Sequence, residues 1–143
     1  MADSTKLQSD MAAVSRAMVA LHKEQFGRGP TRARSHFAGR DTLVCVLENV
    51  LLPAELKLVE MGQEARVRES RVSFQAATAS EFVAAVEQIL YRKVQAFASA
   101  VDPQRDTVFE VFTFEPQGSE ESGDELDGHR DGSWSDGASS AAR

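Results

Sequence analysis

Thr42-Leu43-Val44-Cys45-Val46-Leu47-Glu48 is the segment that most restricts how this chain can fold. A short apolar run with polar ends reads as a β-strand, and extended backbone sends successive side chains to opposite faces. Both faces of this strand are therefore apolar. Such a strand belongs in the middle of a sheet, or under a partner on its second face. A second segment, Thr107–Phe114, makes the same demand: Phe109 and Val111 fall on one face, Phe112 and Phe114 on the other. The chain has 143 residues, 42% of them hydrophobic and 27% charged. That supports one folded core and excludes both two full domains and a wholly disordered chain.

The two strands sit in two hairpins. Thr31–Phe37 alternates, with Arg32, Arg34 and His36 on one face and Ala33, Ser35 and Phe37 on the other. Ala38-Gly39-Arg40-Asp41 is the loop that returns it into 42–48. The second hairpin pairs Val94–Val101 with Thr107–Phe114 around Asp102-Pro103-Gln104-Arg105-Asp106. Helical spacing marks the remainder. Leu7, Met11, Val14, Met18 and Leu21 form a seam, with Ser4 as the expected N-cap and Gly27 as the stop. Pro53 opens a second helix that carries Leu56 and Val59 inward as far as Gly62. A charged stretch from Gln63 to about Ala77 reads as a mostly solvated helix held by Val67 and Phe74. Thr78-Ala79-Ser80-Glu81 matches a capping box, so a further helix is expected to start there, with Phe82, Val86, Ile89 and Leu90 buried. The expected fold is α+β: an N-terminal helix, a hairpin, two to three helices and a hairpin. The hairpins merge into one four-stranded antiparallel sheet with the helices on one face. Either the second apolar sheet face or the Leu7–Leu21 seam then suits a homodimer.

Charge divides the chain at about residue 115. From Glu115 onward there are eight acidic residues against two basic ones, which accounts for the whole net charge of −6. The first 114 residues hold fourteen of each sign and lack the basic field of a nonspecific nucleic-acid binder. Residues 116–143 are a Ser/Gly-rich acidic tail without hydrophobic periodicity, expected to be disordered. Trp134 is its one large apolar side chain, open to reading as a docking anchor or as a stray aromatic. No apolar run approaches the ~20 residues needed to span a bilayer, and no hydrophobic signal region opens the chain. A cytoplasmic location is expected.

A search for catalytic chemistry finds little. Cys45 lies between valines, where a thiol is inert filler, and a single cysteine excludes a disulfide or multi-thiolate zinc site. His22, His36 and His129 have no metal-ligand spacing, so no cofactor or metal is expected. The polar concentration that stands out is Lys23, Arg28, Arg32, Arg34, His36 and Arg40, with His22 alongside. Arg28, Arg32 and Arg34, with Gly27 and Gly29 exposing backbone N–H groups, form a candidate small-anion site. The alternative is that these arginines pair with Glu24, Asp41 or Glu48 and solvate an edge strand.

The run Leu21-His22-Lys23-Glu24-Gln25-Phe26-Gly27-Arg28-Gly29-Pro30-Thr31-Arg32-Ala33-Arg34 resembles the signature of the MpsC family, also called YbcI-like. Further blocks carry the resemblance: Leu52-Pro53-Ala54-Glu55, Arg68-Glu69-Ser70-Arg71 with Phe74-Gln75, Arg92-Lys93-Val94, and Phe109-Glu110-Val111-Phe112. Tyr91 departs from it, since glycine is expected before Arg-Lys-Val. The resemblance covers about residues 8 to 115 and implies an association with Na+-translocating, membrane-potential-generating or inorganic-carbon uptake systems. It carries over no catalytic residues. On this basis the expected function is a non-catalytic accessory or regulatory subunit of a Na+-translocating or bicarbonate-uptake membrane system. Its partners would be transporter subunits at the inner membrane face. The alternative is a stand-alone homodimeric module binding a small anion or nucleotide.

Overall fold

The computed structural model of the chain describes residues 2–117; the acidic tail from 118 and the question of Trp134 lie outside them. The elements in order are α1 (Ala2–Phe26), β1 (Arg32–Phe37), β2 (Thr42–Glu48), α2 (Pro53–Glu60), α3 (Glu64–Leu90), β3 (Val94–Asp102) and β4 (Thr107–Phe114). The strands form one antiparallel sheet in the order β1-β2-β4-β3. The two strands with two apolar faces are the two central ones, as their composition requires.

Alternation then divides the sheet. Leu43, Cys45 and Leu47 of β2, with Val108, Phe112 and Phe114 of β4, are buried beneath Val14 and Met18 of α1 and Phe82 and Val86 of α3. Phe97 stacks on Phe112 at 4.6 Å between ring centroids and on Phe82 at 5.9 Å, tying β3 into the same core. The other face carries Val44, Val46, Phe109 and Val111, with Ala98 and Ala100 beside them. These residues are partly or largely exposed, and Phe109 keeps 38% of its surface.

Several expectations need correction. Ser4 is not a cap: α1 begins at Ala2 and takes Ser4 into its first turn. The helix does stop at Gly27, whose φ of 76° lets its N–H reach back to the Lys23 carbonyl at 2.9 Å. Only the middle of the seam is buried. Val14 and Met18 have no exposed surface while Leu7 keeps 48%, so the seam is used within the molecule. In α2 the inward residue is Glu55, and Leu56 points outward.

The expected helix start at Thr78 does not occur, because α3 runs unbroken from Glu64 to Leu90. A capping residue must leave helical backbone geometry. Thr78 instead stays helical and donates its hydroxyl to the Phe74 carbonyl at 2.8 Å. Val67, Arg71, Phe82 and Val86 bury one stripe at multiples of about a turn on both sides of residue 78, so a break there would expose half of it. At the far end Tyr91 takes the left-handed conformation, φ 53°, with its N–H on the Glu87 carbonyl and its side chain 88% exposed. Left-handed backbone is what favours glycine, and this is the position where the resemblance anticipates one.

Candidate functional site

The loop between α1 and β1 places the cations singled out in the sequence. Arg32 and Arg34, two residues apart on β1, share one face and both approach the Glu48 carboxylate across the strand pair, each at 3.7 Å. Arg28 turns instead to the Leu51 carbonyl oxygen at 3.3 Å. Gly29 packs against α1, where an added Cβ would lie 3.1 Å from the Val19 carbonyl oxygen, so its small size serves close packing. Lys23, His36 and Arg40 are exposed, whereas His22 leaves the group altogether and lies inside the protein, 2% exposed.

His22 belongs to a different constellation. On α1 it follows Val14 and Met18 at intervals of four, which puts it on the stripe facing the sheet. Glu110 reaches the same region from β4, where it alternates with Val108 and Phe112 on the inner face. The two meet at 3.1 Å, His22 Nε2 to Glu110 Oε1. Arg71 reaches it from α3, one turn after Val67, on the buried stripe. Its Nε donates to Glu55 Oε2 at 2.8 Å and its Nη2 to Glu55 Oε1 at 2.6 Å, a bidentate pair. The guanidinium lies 4.1 Å from the centroid of the Phe26 ring, which itself stacks against His22.

His22, Phe26, Arg71 and Glu110 contribute to the lining of a cavity of about 300 Å³ between the C-terminal half of α1, the middle of α3 and the β3 side of the sheet. Phe26, Phe82, Phe97, Val101 and Val108 supply apolar wall, and Arg68, Gln25, Gln75 and Ser99 add polar groups. Three of the lining residues carry a buried atom with no hydrogen-bond partner: His22 Nδ1, Glu110 Oε2 and Arg71 Nη1. An unmet buried polar atom costs roughly 1–3 kcal/mol. All three atoms are closed off even to water, so the fold carries this cost within the packing behind the cavity. His22, Arg71 and Glu110 were missed as site residues in the sequence, although each left a signal there. Each is a polar residue standing in register on an otherwise apolar stripe or strand face.

The electrostatics set two nearby groups apart. Burial alone would raise the Glu55 carboxyl, but the Arg71 hydrogen bonds, the Leu52 N–H and the Arg71 charge outweigh it and hold the group below its ordinary value. Burial pushes the Cys45 thiol up to about 11; the Ser35 hydrogen bond offsets part of this, and the Glu110 charge adds to it. A thiol so placed is a poor nucleophile. No group of three or more His, Cys, Asp or Glu side chains among the described residues is arranged to hold a metal ion.

A four-stranded antiparallel sheet, with its helices on one face and a small cavity between the layers, defines an α+β domain of two layers with an internal site. The chain belongs to the MpsC family: the family model described as "Na+-translocating membrane potential-generating system (MpsC)" matches residues 7–116. That span contains every residue lining the cavity. Neither the search of curated proteins nor that of solved structures returned a significant match.

Proposed function

We propose that this protein is a non-catalytic accessory or regulatory subunit of a Na+-translocating or bicarbonate-uptake membrane system, acting from the cytoplasmic side through partner subunits. One observation carries the reading. The family match spans 7–116, yet no helix among the described residues is long and apolar enough to cross a membrane. A part in ion translocation is then exercised through contact with another chain. The open sheet face around Phe109 and Val111 supplies an apolar surface for such contact or for a homodimer. The test is co-purification of the tagged full chain from detergent-solubilised native membranes, paired with Na+-dependent bicarbonate uptake in a deletion strain. Recovery of membrane subunits and a loss of uptake are expected. A chain that fractionates wholly away from membranes, with uptake unchanged, refutes the proposal.

A second reading draws on Arg32 and Arg34, whose guanidiniums converge on one carboxylate as they would on a small oxyanion. On this reading the protein is a stand-alone homodimer. Arg28, Arg32 and Arg34, with Gly27 and Gly29, bind an anion or nucleotide that displaces Glu48. Calorimetric titration with bicarbonate, phosphate and nucleotides separates the readings. Binding that weakens about tenfold in Arg34→Ala supports this one, and equal binding by both proteins removes it.

A further inference from the structure

The two edges of the sheet are built differently. β1 is six residues long and carries Arg32, Arg34 and His36 on its exposed face, the kind of charge that discourages a second strand from pairing. β3, at the other edge, is nine residues long. Between Lys93 and Asp102 it has neither a charge nor a proline. None of its residues is fully buried, and Val94, Phe97 and Val101 stay only partly covered although they pack on the core. On its outer side no strand of the sheet lies beside it. A long, uncharged edge of this kind is a template for another strand. We propose that β3 pairs antiparallel with β3 of a second copy, joining two four-stranded sheets into one about a two-fold axis at Ala98.

The register follows from the faces of the strand itself. With the axis at Ala98, Phe97 lies against the partner's Ser99 on the helix side, and Ala96 against the partner's Ala100 on the open side. Gln95 is an extra residue in the strand: Ala96 opposes Thr113 and Val94 opposes Phe114, adjacent positions of β4. Skipping Gln95 in the same way brings Val94 against the partner's Val101 on the helix side, and Lys93 against the partner's Asp102 on the open side. The cation at one end of β3 thus meets the anion at the other end of its partner, twice by symmetry. Moving the axis to Phe97 or Ser99 loses both charge pairs, and any half-step register sets helix-side residues against open-side ones. A strand from an unrelated protein has no such built-in match. The dimer is a closed assembly, because each of its two remaining edges is the charged β1. It also leaves the face of Phe109 and Val111 uncovered for other contacts.

Light scattering of the full chain at micromolar concentration should give twice the chain mass. Cysteine cross-linking then reads the register. Ala96, Ala98 and Ala100 are all exposed, and opposed residues of an antiparallel pair have Cα atoms about 4.5–5.5 Å apart, within disulfide reach. Ala98→Cys should therefore cross-link to itself under mild oxidation. Ala96→Cys should stay uncrosslinked alone and cross-link when mixed with Ala100→Cys. The native Cys45 is buried and does not compete. Lys93→Glu, which sets like charges together at both ends, should weaken the dimer about tenfold with the circular dichroism spectrum retained. A monomer at these concentrations, cross-linking of Ala96→Cys as fast as that of Ala98→Cys, or a dimer that Lys93→Glu leaves unweakened overturns the proposal. So does a dimer that Phe109→Asp dissociates and Ala98→Cys does not lock, since the open sheet face then holds it. A failed co-purification with membrane subunits leaves the proposal standing, because it rests on the strand alone.

Discussion

Removing the carboxylate of Glu55 is the substitution expected to damage this fold most for its size. Glu55 and Arg71 are 9% and 8% exposed, and the pair joins the start of α2 to the middle of α3 through two short hydrogen bonds. Glu55→Ala leaves the guanidinium buried with only the Phe26 ring and the Val50 carbonyl oxygen at 3.4 Å for company. Stranding one partner of a buried pair costs about 3–5 kcal/mol. The same change frees the Leu52 N–H that Glu55 caps at 2.9 Å, worth about another 1 kcal/mol. Domains of this kind have a total stability of about 5–15 kcal/mol, so the loss is a large part of it. Urea unfolding followed by circular dichroism at pH 7 reads it as a midpoint lowered by roughly 1.5–3 M, taking a slope within the usual ~1–3 kcal/mol/M. The double variant Glu55→Leu/Arg71→Met removes both charges and should recover most of the loss, because no charge is left stranded. The pH dependence carries an independent sign. Glu55 has its pKa lowered in the folded state, so its contribution is complete above the ordinary value of 4.5 and is lost as pH falls through the folded value. Glu55→Gln should therefore flatten the acid limb of the stability profile below about 4.5. A Glu55→Ala protein within 1 kcal/mol of wild type, or a double variant as damaged as the single one, refutes this reasoning.

Tyr91→Gly should stabilise the protein by about 0.5–1 kcal/mol in the same assay, since relief of left-handed strain exceeds the added freedom of the unfolded chain. Cys45 should resist an aromatic disulfide reagent at pH 8 in the native protein and react fully in denaturant, because it is buried with a thiol raised to about 11; rapid native labelling would contradict its placement. If the open sheet face forms a dimer, Phe109→Asp should yield monomers by light scattering with an unchanged circular dichroism spectrum, as Phe109 is 38% exposed and lies outside the core. Phe112→Asp, at the same strand's inner face, should unfold the protein instead.

The strands were legible in the sequence to within a residue or two, because period-two alternation and the turn residues around Gly39 and Pro103 are local properties. The helix ends were legible where backbone chemistry decides them, at Gly27 and Pro53. Where local and tertiary preferences competed, the local signal lost. The capping box at Thr78 is overridden by the buried stripe of α3 running through it, and the inward residue of α2 is Glu55 because Arg71 waits for it across the α2–α3 contact.

The site divides the same way. Sequence alone drew attention to arginines clustered along the chain, since proximity in sequence is all that a linear reading can count. It grouped His22 with those cations, set Arg71 on a mostly solvated helix and gave Glu110 no role of its own. What it could not convey is that residues 22, 71 and 110 come from three different elements and line one cavity. That follows from the strand order β1-β2-β4-β3, which puts β4 under the end of α1, and from the packing of α3 against both. Periodicity assigns each side chain to a face of its own element. Only the packing of one element on another decides which faces meet, and with them which polar atoms are left without a partner.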